Sequence, residues 1–356
     1  MLNIKNLETV KRNCERFWNK EFIGRPYICV SAPKDNAEPV WNDFTYVKQI
    51  EGARSGDFLR FAENYLKIAE NTFYGGEALP NFCFDFGPDQ YAAFYGGEIV
   101  GQTGQYTTWV HKIADETAAL DCRFNPDNKY FKMMLEMLRR VTEFAGDRYL
   151  VSMLDLHSNL DTLSALLGPE NLCCELLDNP NIVEKKLNEL NDAYPLIYDA
   201  LYKAGGMDRR GTIGWQPMYS AKKSAVVQCD FSCMISPEMA RKYLIPSIER
   251  ETDFLDHSVY HYDGKGALGH LNDILGIKKL NCIQWVPGDG EKRTVYWMDL
   301  LKTIQKSGKS VWLYDWTKDE ILADKELDPA LTMFSLWLPS ESESHRFIED
   351  LERKYK

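Results

Sequence analysis

Eight short apolar runs alternate along this chain with longer amphipathic stretches, and this alternation restricts the possible folds more than any other feature. The runs lie at 26–33, 82–87, 148–156, 225–230, 257–264, 280–285, 310–316 and 332–338. Strands that are apolar on both faces and separated by helices form parallel sheets. Eight such units predict an α/β fold, the (β/α)₈ TIM barrel. We expect one barrel domain over residues 1–356, of which 1–25 form an N-terminal helical extension.

The connecting stretches carry helix signals. Ser236, followed by Pro237 and Glu238, is typical of a capped helix start. Gly146 and Gly308 are typical of helix ends. The predicted helices cover 129–146, 179–206, 236–256, 267–277 and 296–308. A doubly wound open sheet is the alternative architecture, and the sequence lacks the phosphate-loop motif found in many such sheets.

The acidic balance of the chain restricts its partners. The net charge is −11, and basic residues occur in runs of no more than two, such as Lys222-Lys223 and Arg209-Arg210. Nucleic-acid binding depends on basic patches that neutralise phosphates, so nucleic acid is not an expected partner. An acidic surface also opposes the approach of a highly anionic ligand. We therefore expect a small-molecule substrate that is not strongly anionic.

The sequence predicts a cytoplasmic protein with no membrane partner. No apolar run approaches the 18 residues that a membrane span requires. The N-terminus is amphipathic and charged, unlike a signal peptide. The nine cysteines include no C-x-x-C pair, and most lie in apolar runs. Such cysteines are typical of buried thiols in a reducing compartment.

Four segments carry a resemblance to a known family. The segment at 229–248 has an Asp at a strand end and then an SPE helix start, and 260–277 has a strand that ends in His-x-x-Gly. The segment at 280–290 has a strand that ends in Trp, and 163–190 has a Gly-x-Glu turn before a helix. Together they resemble the superfamily of uroporphyrinogen decarboxylases and corrinoid-dependent methyltransferases. The resemblance implies a (β/α)₈ barrel with its active site on the loops after the strands.

The resemblance also implies a reaction and its partners. Methyltransferases of this superfamily move a methyl group between a small substrate and a corrinoid protein, and they bind zinc through a His-x-Cys pair and a later Cys. The matching pair here is His261 and Asp263, and the late region, 336–344, offers Glu341 in place of a cysteine. Carboxylates are acceptable zinc ligands, so zinc at His261, Asp263 and Glu341 is the implied metal site. Family members often form homodimers, which we also expect here.

The decarboxylase reaction is not expected. Family decarboxylases grip their substrate with an arginine-rich loop after the first strand. The corresponding region here, 29–39, contains Lys34 and no arginine.

Polar and indole side chains gather at the predicted strand ends, where barrel enzymes carry their catalytic groups. Asp230 fits a general base, or alternatively an Asx turn. His261 and Asp263 share one side of a strand and fit a metal pair or an acid–base pair; alternatively they are a core histidine and a turn cap. The expected substrate-binding residues are Asp85, Asp155, His157, Trp215, Gly264, Trp285, Asp289, Trp316 and Trp337.

Three functions remain open at this level. The first is the corrinoid-linked methyltransferase that the resemblance implies. The second is a metal-independent lyase or glycoside hydrolase that uses Asp230 and Asp263, provided that their carboxyl groups lie within about 10 Å of each other. The third is a barrel that binds a ligand without catalysis.

Overall fold

The computed structural model describes residues 7–38, 40, 44–102 and 104–356. Each of the eight predicted strand regions contains a strand, and three further strands lie before residue 112. The strands are β1 (Tyr27–Pro33), β2 (Thr72–Gly76), β3 (Asn81–Phe82), β4 (Glu98–Val100), β5 (Trp109–His111), β6 (Leu150–Val151), β7 (Ser224–Gln228), β8 (His257–Asp263), β9 (Cys282–Val286), β10 (Ser310–Leu313) and β11 (Thr332–Trp337).

Helices separate most of the strands, as the alternation predicts. They are α1 (Leu7–Trp18), α2 (Tyr46–Ser55), α3 (Leu59–Asn71), α4 (Gln90–Phe94), α5 (Glu116–Asp121), α6 (Lys129–Ala145), α7 (Asn159–Leu167), α8 (Pro169–Asp178), α9 (Pro180–Ala204), α10 (Met207–Arg210), α11 (Pro237–Met239), α12 (Ile245–Phe254), α13 (Leu271–Gly276), α14 (Met298–Lys306), α15 (Lys318–Ala323) and α16 (Glu341–Lys354). Short 3₁₀ turns cover Asp230–Met234, Lys265–His270, Thr294–Tyr296 and Pro329–Leu331.

The main sheet has seven strands in the order β2-β1-β11-β10-β9-β8-β7. Its neighbours pair in parallel from β1 to β7, and β2 pairs with β1 antiparallel. Strands β3 and β6 form a separate parallel pair, and β4 and β5 form an antiparallel pair. The prediction of an α/β fold with a parallel sheet is confirmed. The closed barrel is not confirmed, because the main sheet of the described chain is open.

The β3–β6 pair is separated from both edges of the main sheet, at β2 on one side and at β7 on the other. At the β7 edge, strand β6 is only two residues long, and side chains of the segment that follows it contact β7. Nε2 of Gln228 donates to Oδ1 of Asp155 at 2.7 Å, and Nδ2 of Asn159 donates to the Gln228 carbonyl at 3.0 Å. Asn159 adopts a positive φ of 53°, a conformation in which asparagine is tolerated better than most residues. The polar side chains of Asp155, Asn159 and Gln228 thus lie where backbone hydrogen bonds would otherwise join two neighbouring strands.

The inner face of the sheet has an apolar half and a polar half. Tyr27, Val226, Val259 and Trp312 pack there with residues of α1 in one buried cluster. Trp18 of α1 stacks on His257, the first residue of β8, with ring centres 4.6 Å apart. Helix α1 lies within the predicted N-terminal extension, and it covers the inner face at the strand starts. Polar side chains occupy the opposite end of this face, at the ends of the strands.

The predicted helix at 236–256 begins as expected, since Oγ of Ser236 accepts from the Met239 backbone N–H at 3.3 Å. It is interrupted, however, by a π-helical segment at Ala240–Leu244 before α12. Pro246 lacks the N–H that a regular helix would use at this point, and π segments absorb such a mismatch.

All nine cysteines are free thiols. Among the described helices, none combines the length and the apolar character needed to cross a membrane.

Candidate active site and metal centre

Two groups of side chains of the types that can ligate a metal meet near the ends of β7 and β8. Asp230, His261 and Asp263 form one group, and His157, Asp161 and Asp230 form the other. Within each group the donor atoms lie within 4.8 Å of one another. Asp230 belongs to both, so the groups form one continuous site.

Strand register explains why these residues meet. Gln228 of β7 pairs with His261 of β8. Two residues further along each chain come Asp230 and Asp263, which therefore lie side by side at the strand ends. Alternation along β8 places His261 and Asp263 on the same side as Val259, which faces the interior of the sheet. The predicted partnership of His261 and Asp263 is thus reproduced in space.

His261 is oriented by its neighbours. Its Nδ1 lies 2.6 Å from Oε1 of Gln284, its register partner on β9. The amide oxygen only accepts hydrogen bonds, so Nδ1 is the donor in this contact, and Nε2 is the ring nitrogen not engaged by Gln284. The ring of Trp215 stands edge-on to His261 with centroids 5.4 Å apart.

His157 is the centre of an ionic network. Its Nε2 lies 3.1 Å from Oδ2 of Asp155, and its Nδ1 lies 3.4 Å from Oδ2 of Asp161 and 3.9 Å from Oδ2 of Asp230. Burial alone would lower the pKa of His157, but Asp155 and Asp161 prevail and raise it well above the usual value. The ring is therefore an imidazolium held between carboxylates.

Asp161 anchors the loop that carries Asp230. Its two carboxylate oxygens accept from the backbone N–H groups of Asp230 and Phe231 at 3.0 and 2.9 Å. Asp230 is half-exposed, yet partial removal from water, together with the charge of Asp161, raises its pKa to about 6. Asp230 therefore changes its protonation state close to neutral pH.

A second carboxylate pair lies deeper. Burial and then the charge of Asp155 raise the pKa of Asp85 to about 7. Burial also acts to raise the pKa of Asp155, but His157 overcomes it and the net shift is downward. The Trp215 indole N–H also lowers the pKa of Asp155, although it makes no hydrogen bond of standard geometry with any described residue. One proton is thus held on Asp85 while Asp155 stays ionised.

Two cavities open on this network, and His157 lines both. The first has a volume of about 520 Å³ and is lined by Asp161, Asp230 and the β4–β5 pair, including Trp109. The second has a volume of about 400 Å³ and is lined by Asp85, Asp155, Trp215 and His261. Both sizes suit small organic ligands.

The structure brings together seven of the residues predicted from the sequence, and Gly264 follows directly after Asp263. The seven are Asp85, Asp155, His157, Trp215, Asp230, His261 and Asp263. An added Cβ at Gly264 would meet no atom within 4 Å, so the space beside it is open.

Other predicted site residues lie elsewhere. Trp285 is 1% exposed and packs edge-on against Trp297 in the helix layer, because Gln284 takes the inward position on β9. Trp316 is also buried there, and its Nε1 donates to Oγ1 of Thr294 at 2.9 Å. These two indoles do not line the described cavities at His157.

Three predicted rim residues are also outside the described lining of the two cavities at His157. Trp337 lines a separate cavity of about 410 Å³ beside β1 and β11. Asp289 is exposed in the loop after β9. Glu341 lies in the first turn of α16, where its carboxylate is 3.8 Å from His345. The implied zinc set with Glu341 is not assembled in the described chain; β9 and β10 separate β8 from β11, and Asp230 takes the third position.

Several site residues escaped the sequence analysis. Gln284 was hidden in an apolar run, although alternation along β9 could have shown that it faces inward with Cys282. Tyr46 and Tyr106 line the second cavity from distant chain segments, and no local pattern signals them.

Comparisons with known proteins are consistent with this architecture. No family model matches the sequence, and no curated protein sequence is significantly similar to it. Among solved structures, a methyltransferase from Methanosarcina mazei superposes with a TM-score of 0.61 at 12% identity, covering 98% of this chain and 99% of that chain. A likeness at this identity shows a shared fold.

Proposed function

We propose that this chain is a methyltransferase-like enzyme that binds zinc at Asp230, His261 and Asp263 and acts on a small substrate in the adjoining cavities. The observation that carries the proposal is the His261 ring, whose Nδ1 is bound to Gln284 and which offers a ring nitrogen within 4.8 Å of carboxylate oxygens of Asp230 and Asp263. The fold shared with a methyltransferase supports the class of reaction. The resemblance of 229–290 to corrinoid-dependent enzymes suggests a corrinoid protein as the methyl-group partner.

The residues present fit a zinc ion. Zinc takes imidazole nitrogen and carboxylate oxygen at about 2.0–2.2 Å, so its ligand atoms are about 3.5 Å apart. The donor atoms here lie within 4.8 Å of each other, and small side-chain rotations close the difference. Metal-binding histidines usually donate their second N–H to an acceptor, the role that Gln284 plays for His261. His157 fits less well, because carboxylates already lie against both of its ring nitrogens.

When bound, zinc would act as a Lewis acid that favours the nucleophilic form of a coordinated substrate group. The chain's own residues prepare the surroundings. His157 holds a positive charge that partly offsets Asp155, Asp161 and Asp230. Asp85 holds a proton near neutral pH beside the second cavity. Aromatic walls restrict water there.

Zinc titration by calorimetry tests the metal site. We expect one zinc per chain, a large loss of affinity in His261→Ala, and unchanged binding in His345→Ala, whose side chain is exposed on α16. The reaction is tested by mixing zinc-loaded protein and methylcobalamin with candidate methyl acceptors and following the corrinoid absorbance. Absence of stoichiometric zinc binding, or equal binding by wild type and His261→Ala, would refute the proposed site.

One observation favours a second candidate, a metal-independent glycoside hydrolase. The carboxylate oxygens of Asp230 and Asp263 lie within 4.8 Å, close to the separation in retaining glycosidases, and the raised pKa of Asp230 suits a general acid. Hydrolysis of aryl glycosides that survives EDTA and disappears in Asp230→Asn would favour this alternative over methyl transfer.

A further inference from the structure

The cavity of about 400 Å³ has walls of two kinds, aromatic and acidic. Tyr46, Tyr106 and Trp215 line it together with Asp85 and Asp155. Tyr46 and Tyr106 stand edge to face with ring centroids 5.6 Å apart. The Tyr46 backbone N–H also donates to the Tyr106 carbonyl at 3.0 Å, which fixes the exposed Tyr106 segment over the cavity. The aromatic wall is therefore built by contacts between distant parts of the chain.

The charges around this cavity are unbalanced. Asp155 is the ionised carboxylate of its described lining, since Asp85 keeps its proton up to about pH 7, and His157 is the positive group beside it. His157 is shared with Asp161 and Asp230, which lie just beyond the wall. No lysine or arginine occurs in the described lining. A cation in this space would be stabilised, whereas an anion would be repelled.

Aromatic faces and carboxylates attract the same kind of ligand. A methylated ammonium group is bulky and weakly hydrated, and it binds well to the faces of Trp and Tyr rings. A fully methylated ammonium group cannot donate strong hydrogen bonds. It therefore suits a cavity lined by aromatic rings rather than by many hydrogen-bond acceptors. A small neutral apolar group would contact the rings but gain nothing from the charge of Asp155.

We infer that this cavity binds the methylated ammonium group of a small cationic substrate, with Tyr46, Tyr106 and Trp215 around the cation and the Asp155 carboxylate supplying the negative charge in the lining. That the ligand is a substrate rests on the proposed function. Binding of the cation is tested separately from that function, because His261 is the one proposed zinc ligand in the described lining of this cavity and no metal is needed to form its aromatic wall.

Calorimetric titration of the EDTA-treated full-length protein with choline chloride tests the inference. The matched probe is 3,3-dimethylbutan-1-ol, which has the shape of choline without its charge. We expect choline to bind with a Kd of about 1 mM or lower, and the alcohol to bind at least about tenfold more weakly.

Two exposed tyrosines give a matched pair of variants, because neither side chain is part of the buried core. Tyr106 is 68% exposed and lines the cavity, whereas Tyr296 is 67% exposed and is absent from its described lining. We expect Tyr106→Ala to weaken choline binding at least about threefold, and Tyr296→Ala to leave it unchanged.

The outcomes separate this inference from the proposed function. Failure of choline to bind, equal binding of the neutral alcohol, or equal effects of the two tyrosine variants would overturn the cation site. Such a result would leave zinc binding to the Asp230–His261–Asp263 group intact. Conversely, choline binding in a protein that takes up no zinc would support the cation site and contradict the proposed metal centre.

Discussion

Nδ1 of His261 lies 2.6 Å from Oε1 of Gln284, and this contact orients the His261 ring beside Asp230 and Asp263. The two residues are register partners on neighbouring parallel strands, so the backbone itself holds them together. Gln284 is therefore a positioning residue for His261. The account of the site depends on this pair.

Replacing Gln284 should weaken metal binding without removing a ligand. We expect Gln284→Ala to lower zinc affinity about 10- to 100-fold, the usual cost of losing the acceptor behind a ligating histidine. Gln284→Glu keeps an acceptor and should retain most of the affinity. Competition with a chromophoric chelator measures both. Equal zinc affinity in wild type and Gln284→Ala would contradict the positioning role.

Replacing His157 should destabilise the fold. His157→Gln leaves buried carboxylates without their cation, and such a loss costs about 3–5 kcal/mol in the free energy of unfolding. Because the pKa of His157 is raised in the folded state, its contribution is complete below the unfolded value of about 6.5 and declines as pH rises. Urea denaturation should therefore show a larger difference between wild type and variant at pH 6 than at pH 9. A difference independent of pH would argue against an imidazolium.

Replacing Asp85 should stabilise the folded protein, whereas replacing His157 should destabilise it. The folded protein holds a proton on Asp85 up to about pH 7, whereas the unfolded chain releases it near 3.8. The folded state binds more protons in this range, so its stability falls as pH rises from about 4 to 7. Asp85→Asn removes this penalty, which is on the order of a few kcal/mol.

The Asp85 prediction is measured by thermal unfolding. We expect the gain in Tm of Asp85→Asn over wild type to be larger at pH 8 than at pH 5, with Asp289→Asn, an exposed carboxylate, as the control. A gain that shrinks with rising pH would show that Asp85 is ionised in the folded protein.

Trp285 should behave as a core residue. Trp285→Ala removes a buried ring that packs on Tyr262 and Trp297, and it should cost about 3–5 kcal/mol of unfolding free energy. Zinc and choline affinities of the folded variant should be unchanged. Trp285→Phe should cost less, since Nε1 of Trp285 has no hydrogen-bond partner among the described residues. Normal stability with lost ligand affinity would instead place Trp285 in the site.

The strands and the capped helix at Ser236 could be predicted because they depend on local patterns. Alternation also predicted that His261 and Asp263 share a side. The same rule, applied to β9, would have placed Gln284 inward and Trp285 outward; a strand-end position alone does not decide the side.

Long-range features were beyond the sequence. At the gap between β6 and β7, hydrogen bonds of Gln228 with Asp155 and Asn159 take the place of backbone pairing, and these residues are remote in sequence. The spacing of Gly264, Gly266 and Gly269 fits a dinucleotide-binding turn, but in the structure it leads from β8 into a 3₁₀ turn. The distance of Glu341 from His261 likewise follows from strand order, not from local sequence.

The most direct measurement is anomalous diffraction from crystals grown with zinc, recorded on both sides of the zinc absorption edge. The account predicts a single strong peak bounded by Asp230, His261 and Asp263, with Nε2 of His261 as the nitrogen ligand. A crystal that contains zinc bound elsewhere, with no peak between these three residues, would contradict it.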